Sequence, residues 1–308
     1  MNQQKVIIDT DPGVDDAMAI IYAHLEPEID LLGLTSIFGN VTIDIATRNT
    51  LALAEMLDSR AAVAPGARQP LVQAPKDVAW EVHGREGFGD VPPISPGRQA
   101  DSRSASVFIC DMVNLYPGEV VLCPVGPLTN IALALEHDPS IAERVKSVVV
   151  MGGSLDEGGN VTEYAEANIW QDPHAADKVF AASWPVTMIG LDVTHQVICS
   201  PEDFAALATA SPRLGGFLND AAQFYFDFHA RVDGIRGCHM HDPTAVISIV
   251  RSQWFSTEVV PIETVVDGTE VGKTVRSPDA SRSAVNAAMG IDSEAVKQHF
   301  LNTIKSGD

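Results

Sequence analysis

Positive charge is what this chain has least of. Its 308 residues carry 20 Lys and Arg against 41 Asp and Glu, a formal net charge of -21. That balance argues against nucleic acid as a partner, because neutralising phosphates needs clustered basic side chains. Cysteine is sparse as well. Cys110, Cys123, Cys199 and Cys238 are scattered without metal-ligand spacing, which points to free thiols and a cytoplasmic setting. No apolar run approaches the length of a membrane span. Met1-Asn2-Gln3-Gln4-Lys5 leads straight into a strand with no signal-peptide pattern. Internal repeats, low-complexity tracts and interdomain linkers are missing too, so residues 1–308 read as a single domain. Hydrophobic residues make up 45% of the chain, in keeping with a globular protein that buries a sizeable core.

Strand and helix signals alternate through the first two thirds of the chain. Val6 to Ile8 reads as a buried strand and Ala17 to Ala23 as the helix after it. A strand over Ile29 to Phe38 follows, then a helix from Thr42 through Leu57 and a short strand from Ala61 to Ala64. Pro65 to about Ser102 is irregular and rich in Pro and Gly, and so long a loop in a compact domain is usually functional or disordered. Helix resumes over Ser104 to Tyr116, with a strand at Val120 to Cys123 and a helix that ends at His137 before Asp138-Pro139. The pattern continues with a strand from Val145 to Met151, a polar loop from Ser154 to Asp172, a helix from Pro173 to Ala182 and a strand from Val186 to Leu191. Such alternation predicts an α/β fold with a doubly wound, largely parallel open sheet of Rossmann-like type. Asp11, Asn40, Val125 and Gly152 all fall just past strand ends, the edge where such sheets bind ligands. Beyond Asp192 an added helical segment is expected, with helices at Pro201 to Ala208, Leu214 to Arg231 and Thr244 to Val250. Strands at Val259 to Val266, Val271 to Val275 and Ser283 to Met289, plausibly antiparallel, precede a last helix from Asp292 to Ile304.

The densest chemistry lies between the first strand and the first helix. Asp9-Thr10-Asp11-Pro12-Gly13-Val14-Asp15-Asp16 packs four aspartates into eight residues around a Pro-Gly turn. Carboxylates this close repel one another strongly if buried and ionised together, so a cation, shared protons or the helix N-terminus must offset them. A helix cap accounts for one or two aspartates but not four. Oxygen ligands without nearby Cys or His suit Ca²⁺ or Mg²⁺ rather than zinc.

Two further constellations belong to the same edge. Gly159 to Asn168 holds Asn160, Glu166 and Asn168, whose amides and carboxylate suit sugar hydroxyls, although a polar loop by itself is more often just solvated. His241-Asp242-Pro243 precedes a helix, where Asp242 standing alone would read as an N-cap and His241 as a satisfied interior histidine.

Taken together these motifs resemble those of the nucleoside hydrolases of the inosine-uridine-preferring type. The resemblance runs from Asp9-Thr10-Asp11-Pro12-Gly13-Val14-Asp15-Asp16-Ala17 through Phe38-Gly39-Asn40, His83-Gly84, Pro124-Val125-Gly126-Pro127-Leu128-Thr129-Asn130, Met151-Gly152-Gly153, Ala165-Glu166-Ala167-Asn168 and His241-Asp242-Pro243. It covers essentially the whole chain, in order. The resemblance implies a ribonucleoside hydrolase that binds one Ca²⁺ per subunit, held by Asp11, Asp16, Asp242 and the main-chain carbonyl of Val125. Asp11 would also be the general base, acting on a water held by the metal, and His241 would protonate the departing purine. An imidazole beside several carboxylates is expected to keep its proton more readily. Asp15 would accept from the ribose 2′-hydroxyl, with Asn40, Asn160, Glu166 and Asn168 on the other hydroxyls and Met151 beside them. His83, in the loop expected to cover the base, and Tyr225 and His229, on a helix flanking it, complete the set. Val125 and Ala167 depart from the residues common there, the second from an aromatic. Relatives are commonly dimers or tetramers, so the resemblance also implies a homo-oligomer taking a small ribonucleoside in nucleoside catabolism or salvage.

Two other readings start from the same residues. Asp9-x-Asp11 after a strand resembles the nucleophile turn of haloacid-dehalogenase-type phosphohydrolases, but Gly13 stands where that motif expects Thr or Val, and it leaves Asp15-Asp16, Glu166 and His241-Asp242 unexplained. A non-catalytic ribose- or nucleoside-binding protein with a structural Ca²⁺ would use the same sugar-facing residues without turnover.

Overall fold

The computed structural model describes residues 3–307, so Met1 and Asn2 of the leader reading lie outside the described residues. Eleven strands are present among them: β1 (Gln4–Thr10), β2 (Ile29–Ser36), β3 (Ala62–Pro65), β4 (Val120–Pro124), β5 (Ser147–Met151), β6 (Val186–Ile189), β7 (Ile198–Cys199), β8 (Cys238–His239), β9 (Phe255–Thr264), β10 (Thr274–Arg276) and β11 (Ala284–Ile291). Nine of them form one sheet in the order β10-β9-β11-β6-β5-β4-β1-β2-β3, and β7 pairs β8 apart from it. From β3 across to β11 every pairing is parallel; in this sheet only β9 pairs antiparallel, with β11 on one side and β10 on the other.

Side chains along the parallel strands alternate between two cores, as the pleat requires. Val6 and Ile8 of β1, Val121 and Cys123 of β4, and Val149 and Met151 of β5 enter one core. Ile7, Val120, Leu122, Val148 and Val150 enter the other. Both faces are therefore apolar, and helices cover each, which is why these strands read as continuous hydrophobic runs.

The helices are α1 (Val14–Leu25), α2 (Ile43–Met56), α3 (Trp80–His83), α4 (Ala105–Leu115), α5 (Thr129–His137), α6 (Ala167–Gln171), α7 (Pro173–Ala181), α8 (Leu191–Thr194), α9 (Pro201–Ala210), α10 (Leu214–Val232), α11 (His241–Val250) and α12 (Ser293–Lys305). No helix of the described residues is long and apolar enough to cross a membrane. All four cysteines are buried free thiols.

Several boundaries differ from the sequence reading. The irregular stretch after Pro65 contains α3, and the polar loop after Ser154 contains α6; at four and five residues both are too short to show a helical period. The strand at Val186 ends at Ile189, and Leu191 begins α8. The C-terminal strands do pair antiparallel, but β11 also runs parallel to β6 and so extends the main sheet.

The topology places the site. Strand order reverses between β1 and β4, the switch point where doubly wound sheets open a crevice at their carboxyl ends. Asp11 follows β1 and Val125 follows β4. α1 packs along α11, which brings the first turn of one beside the first turn of the other.

Candidate active site

A cavity of about 300 Å³ opens at this crevice, near the lower end of the range for small-molecule sites. Asp15, Asn40, His83, Val125, Met151, Asn160, Glu166, Asn168, Tyr225, His229, His241 and Asp242 all line it. Asp11 and Asp16 are fully buried behind that wall, tied to it through Asn40, whose main-chain N–H donates to Asp11 Oδ2 at 2.6 Å and whose amide donates to Asp16 Oδ2 at 3.1 Å. Folding thus brings every sequence-predicted site residue to one place.

The aspartate turn is built by short-range geometry. Gly13 is the N-cap of α1, and Asp16 at the third helical position accepts from its N–H at 2.9 Å. Asp16 Oδ1 accepts from the Asp11 N–H at 3.2 Å and from Thr10 Oγ1 at 2.5 Å, so this carboxylate both caps the helix and pins the turn. Asp9 points elsewhere, accepting from Thr35 and Asn130. Asp11 sits in a cradle that only glycine permits: a Cβ on Gly39 would fall 2.1 Å from Asp11 Oδ2, and one on Gly126 would fall 2.3 Å from Oδ1. Gly39 also adopts φ +155°, in the region glycine favours. Asp242 is not an N-cap: Met240 holds that position, and Asp242 lies in the first turn of α11, facing the α1 aspartates.

Carboxylate oxygens of Asp15, Asp16 and Asp242 come within 4.8 Å of one another, and could hold a metal ion. Burial, compounded by mutual repulsion, raises all of them. Burial and then Asp16 push Asp15 to about 8. Burial followed by Asp15, Asp16 and Asp11 raises Asp242 well above the carboxylate range, and burial followed by Asp16 does the same to Asp11. Burial alone takes Asp9 to about 7 against two hydrogen bonds. Among the described residues no lysine or arginine lines the cavity to balance them. Asp11 Oδ1 is buried with no hydrogen-bond partner among the described residues. A hard cation is the counter-charge this donor set fits.

Across the cavity lies a loop from the β5 end. Glu166 caps α6, accepting from the main-chain N–H groups of Asn168, Ile169 and Gly153 at 2.9, 3.1 and 3.0 Å. Asn168 donates to the carbonyls of Val125 and Met151 at 2.9 and 3.2 Å, and Asn160 accepts from the Ala167 N–H at 3.0 Å. These amides are therefore locked in place while still facing the cavity.

The remaining wall is aromatic and imidazole. His83 is buried with Nδ1 accepting from the Val14 N–H at 3.2 Å, and its ring centroid lies 5.3 Å from Tyr225. Tyr225 continues to His229 at 4.4 Å. His241 Nδ1 lies 2.9 Å from Thr194 Oγ1, leaving Nε2 as the nitrogen available to a ligand. The expectation that nearby carboxylates would hold a proton on His241 is overturned. Burial first, then the neighbouring His239, His195, His229 and His83, lowers its pKa well below the ordinary imidazole value. His83 is likewise driven down to about 3, by burial and then His229.

Several lining residues carried no sequence signal. His195, His239, Asp233, Val82, Phe228 and Val232 complete the wall. Asp192 accepts from the main-chain N–H groups of Leu155, Asp156 and Glu157, and so holds the loop beyond β5. Tyr225, Phe228, His229 and Val232 share one face of α10, the helix that the resemblance sets beside the base.

A doubly wound sheet with a carboxylate cluster at its switch point is a frame for binding a small polar ligand, and similarity to known proteins specifies which kind. The chain belongs to the inosine-uridine preferring nucleoside hydrolase family, whose model matches residues 6–298. It is therefore a ribonucleoside hydrolase, an enzyme that cleaves the N-glycosidic bond. Among curated relatives it is 40% identical to uridine nucleosidase 1 of Arabidopsis thaliana over 96% of this chain and 91% of that protein. It is 37% identical to the inosine-uridine preferring nucleoside hydrolase of Crithidia fasciculata, with 94% of each chain covered. In structure it superposes on a purine-preferring ribonucleoside hydrolase from Gardnerella vaginalis with a TM-score of 0.95 and 35% identity, covering 99% of each chain.

Proposed function

We propose that the cavity hydrolyses ribonucleosides with ribose against the aspartates and the base against the imidazole wall. The observation that carries this reading is the polarity of the cavity: buried carboxylates at one end, and neutral rings at the other. Asp11, Asp16, Asp242 and the Val125 carbonyl are the groups we assign to a Ca²⁺ ion. The ion, when bound, neutralises the aspartates and makes a water easier to deprotonate. Asp11, whose buried Oδ1 has no partner among the described residues, is the general base we assign, and it would accept the proton released by the water that adds to C1′. Asp15 accepts from the 2′-hydroxyl, and Asn40, Asn160, Glu166 and Asn168 hold the other hydroxyls, with Met151 below. Positive charge that builds on the sugar as the C1′–N bond breaks is stabilised by the same carboxylates. The bonding electrons pass to the base. His241, neutral with Thr194 on its Nδ1, donates a hydrogen bond from Nε2–H to the departing ring as negative charge builds there, solvent supplying the proton that completes the free base. His83, Tyr225 and His229 flank the base. Ala167, on the cavity wall, leaves room there that an aromatic side chain would fill.

We further read residues 1–308 as one domain, because β1 and β11, near opposite ends of the chain, belong to the same sheet. Family resemblance supports a homo-oligomer, and the buried free thiols suit a cytoplasmic enzyme of nucleoside catabolism or salvage. A panel of inosine, adenosine, uridine and cytidine, assayed for released reducing sugar with and without Ca²⁺ after chelation, tests the reading. Turnover of at least one nucleoside that is lost on chelation and restored by Ca²⁺ is expected. Turnover indifferent to chelation would overturn the metal assignment.

A further inference from the structure

The imidazole wall contains a second cluster of donors whose nitrogens the hydrolytic assignment leaves without a role. His229, near the end of α10, donates from Nδ1 to Asp233 Oδ2 at 2.5 Å. In the neutral ring that leaves the lone pair on Nε2, an atom that is buried without any partner. His239, on β8, likewise buries Nδ1 without a partner. The two rings stand 5.1 Å apart and nearly perpendicular, at 85°. Their side chains are almost wholly buried, at 4% and 7% exposure. Ligand atoms of His229, Asp233 and His239 all lie within 4.8 Å of one another.

We propose that His229, His239 and Asp233 form a second metal site, separate from the aspartate cluster and selective for divalent ions of the zinc, nickel and copper type. Imidazole nitrogen is the donor these ions prefer, whereas Ca²⁺ and Mg²⁺ prefer oxygen. A carboxylate behind one imidazole is the outer arrangement that orients metal-binding histidines. Burial helps, because it keeps both rings in the neutral form a metal needs and takes His239 down to about 4. The two orphaned nitrogens give a reason for the cluster that base-stacking alone does not, since stacking leaves both lone pairs unmatched in a dry wall. Because all three residues line the cavity, an ion here would keep a coordination position open toward it. The site shares no residue with the set assigned to Ca²⁺, so its test does not depend on hydrolysis.

The test uses the intact protein, chelated and then held in excess Ca²⁺ so that the aspartates are taken. Zn²⁺ is titrated against a chromophoric chelator, and X-ray absorption at the zinc edge reports the ligands in the equimolar complex. One zinc per chain with two imidazole nitrogens in its shell is expected. His239→Ala should weaken binding by ~100-fold or more, and Asp233→Asn, at the exposed rim, by roughly 10- to 100-fold. Should His239→Ala fail to fold, the zinc-edge spectrum of the unaltered protein and the Asp233→Asn titration decide. A shell of oxygens only, no zinc bound in the presence of Ca²⁺, or affinity unchanged in the variants overturns the proposal.

Discussion

The two ends of the cavity are made in opposite ways. The aspartate end is contiguous: Asp11, Asp15 and Asp16 come from one turn, and Gly39 and Gly126 close around the first of them within a few ångströms. The imidazole end is dispersed, with His83 from α3, His195 after α8, His229 from α10, His239 from β8 and His241 from α11. Burial acts on both with opposite sign, raising the carboxylates and lowering the histidines, because desolvation always disfavours the charged form. The acidic end is thus poised to accept positive charge, and the imidazole end to stay neutral until charge develops beside it. The proposed reading gives sugar recognition and cation binding to the first, and base recognition to the second.

The largest expected effect tests the sugar end. Removing the 2′-hydroxyl leaves Asp15 facing the gap in a dry site, and unmatched polar groups of this kind discriminate by as much as ~10⁴-fold. Comparing kcat/KM for inosine and 2′-deoxyinosine, or for uridine and 2′-deoxyuridine, measures it. Equal values would detach Asp15 from the ribose and dissolve the proposed division of the cavity.

Next in size is the base that acts on water. Asp11→Ala should lower kcat on the order of 10³-fold or more, with the fold retained by circular dichroism. A folded variant keeping a tenth of normal turnover would move that role to another aspartate.

A smaller, asymmetric effect is expected from the opposite wall. His241→Ala should slow purine nucleosides by about 10²-fold and pyrimidine nucleosides by much less, since purine departure depends more on protonation of the ring. Equal losses on inosine and uridine would indicate that His241 serves Asp242 next to it rather than the base.

The smallest effect is on stability, and it separates the ends by pH. Asp9 and Asp15 titrate near about 7 and about 8 in the folded protein against an ordinary 3.8, so the fold binds their protons more tightly than the unfolded chain. Their contribution is present below the ordinary value and lost as pH rises through 7 and 8. His83 has the opposite sign: held at about 3 against 6.5, it contributes above 6.5 and loses that contribution as pH falls. Calorimetry on chelated protein should therefore show Tm falling as pH rises through about 7 and about 8, and Ca²⁺, whose charge lies beside Asp15 but away from Asp9, should remove the part of that fall near pH 8. A slope that Ca²⁺ leaves untouched would mean that the aspartates are not where the cation acts.

Legibility in the sequence follows the same division. Val6 to Ile8 and the turn after it were legible because an apolar run bounded by Pro-Gly and crowded carboxylates acts over neighbouring residues. Asp242 read locally as a helix cap, yet Met240 takes that position, and the distant packing of α1 on α11 sets Asp242 among the other acids. Charge proximity along the chain suggested a proton held on His241. Instead its environment is dominated by burial and by four rings brought from elsewhere. His195, Asp233 and His239 left no trace in the sequence because neither spacing nor composition marks them, and α3 and α6 are shorter than any period can reveal.

What the sequence by itself determined is the parallel sheet, the acid turn at its switch point and the family motifs, all of which are written in patterns that span a few neighbouring residues at a time. Only the tertiary structure decided the imidazole wall, its two orphaned nitrogens and the protonation of both ends. The reason is physical: repulsion between neighbouring carboxylates is written along the chain, whereas desolvation depends on what the fold packs around a group.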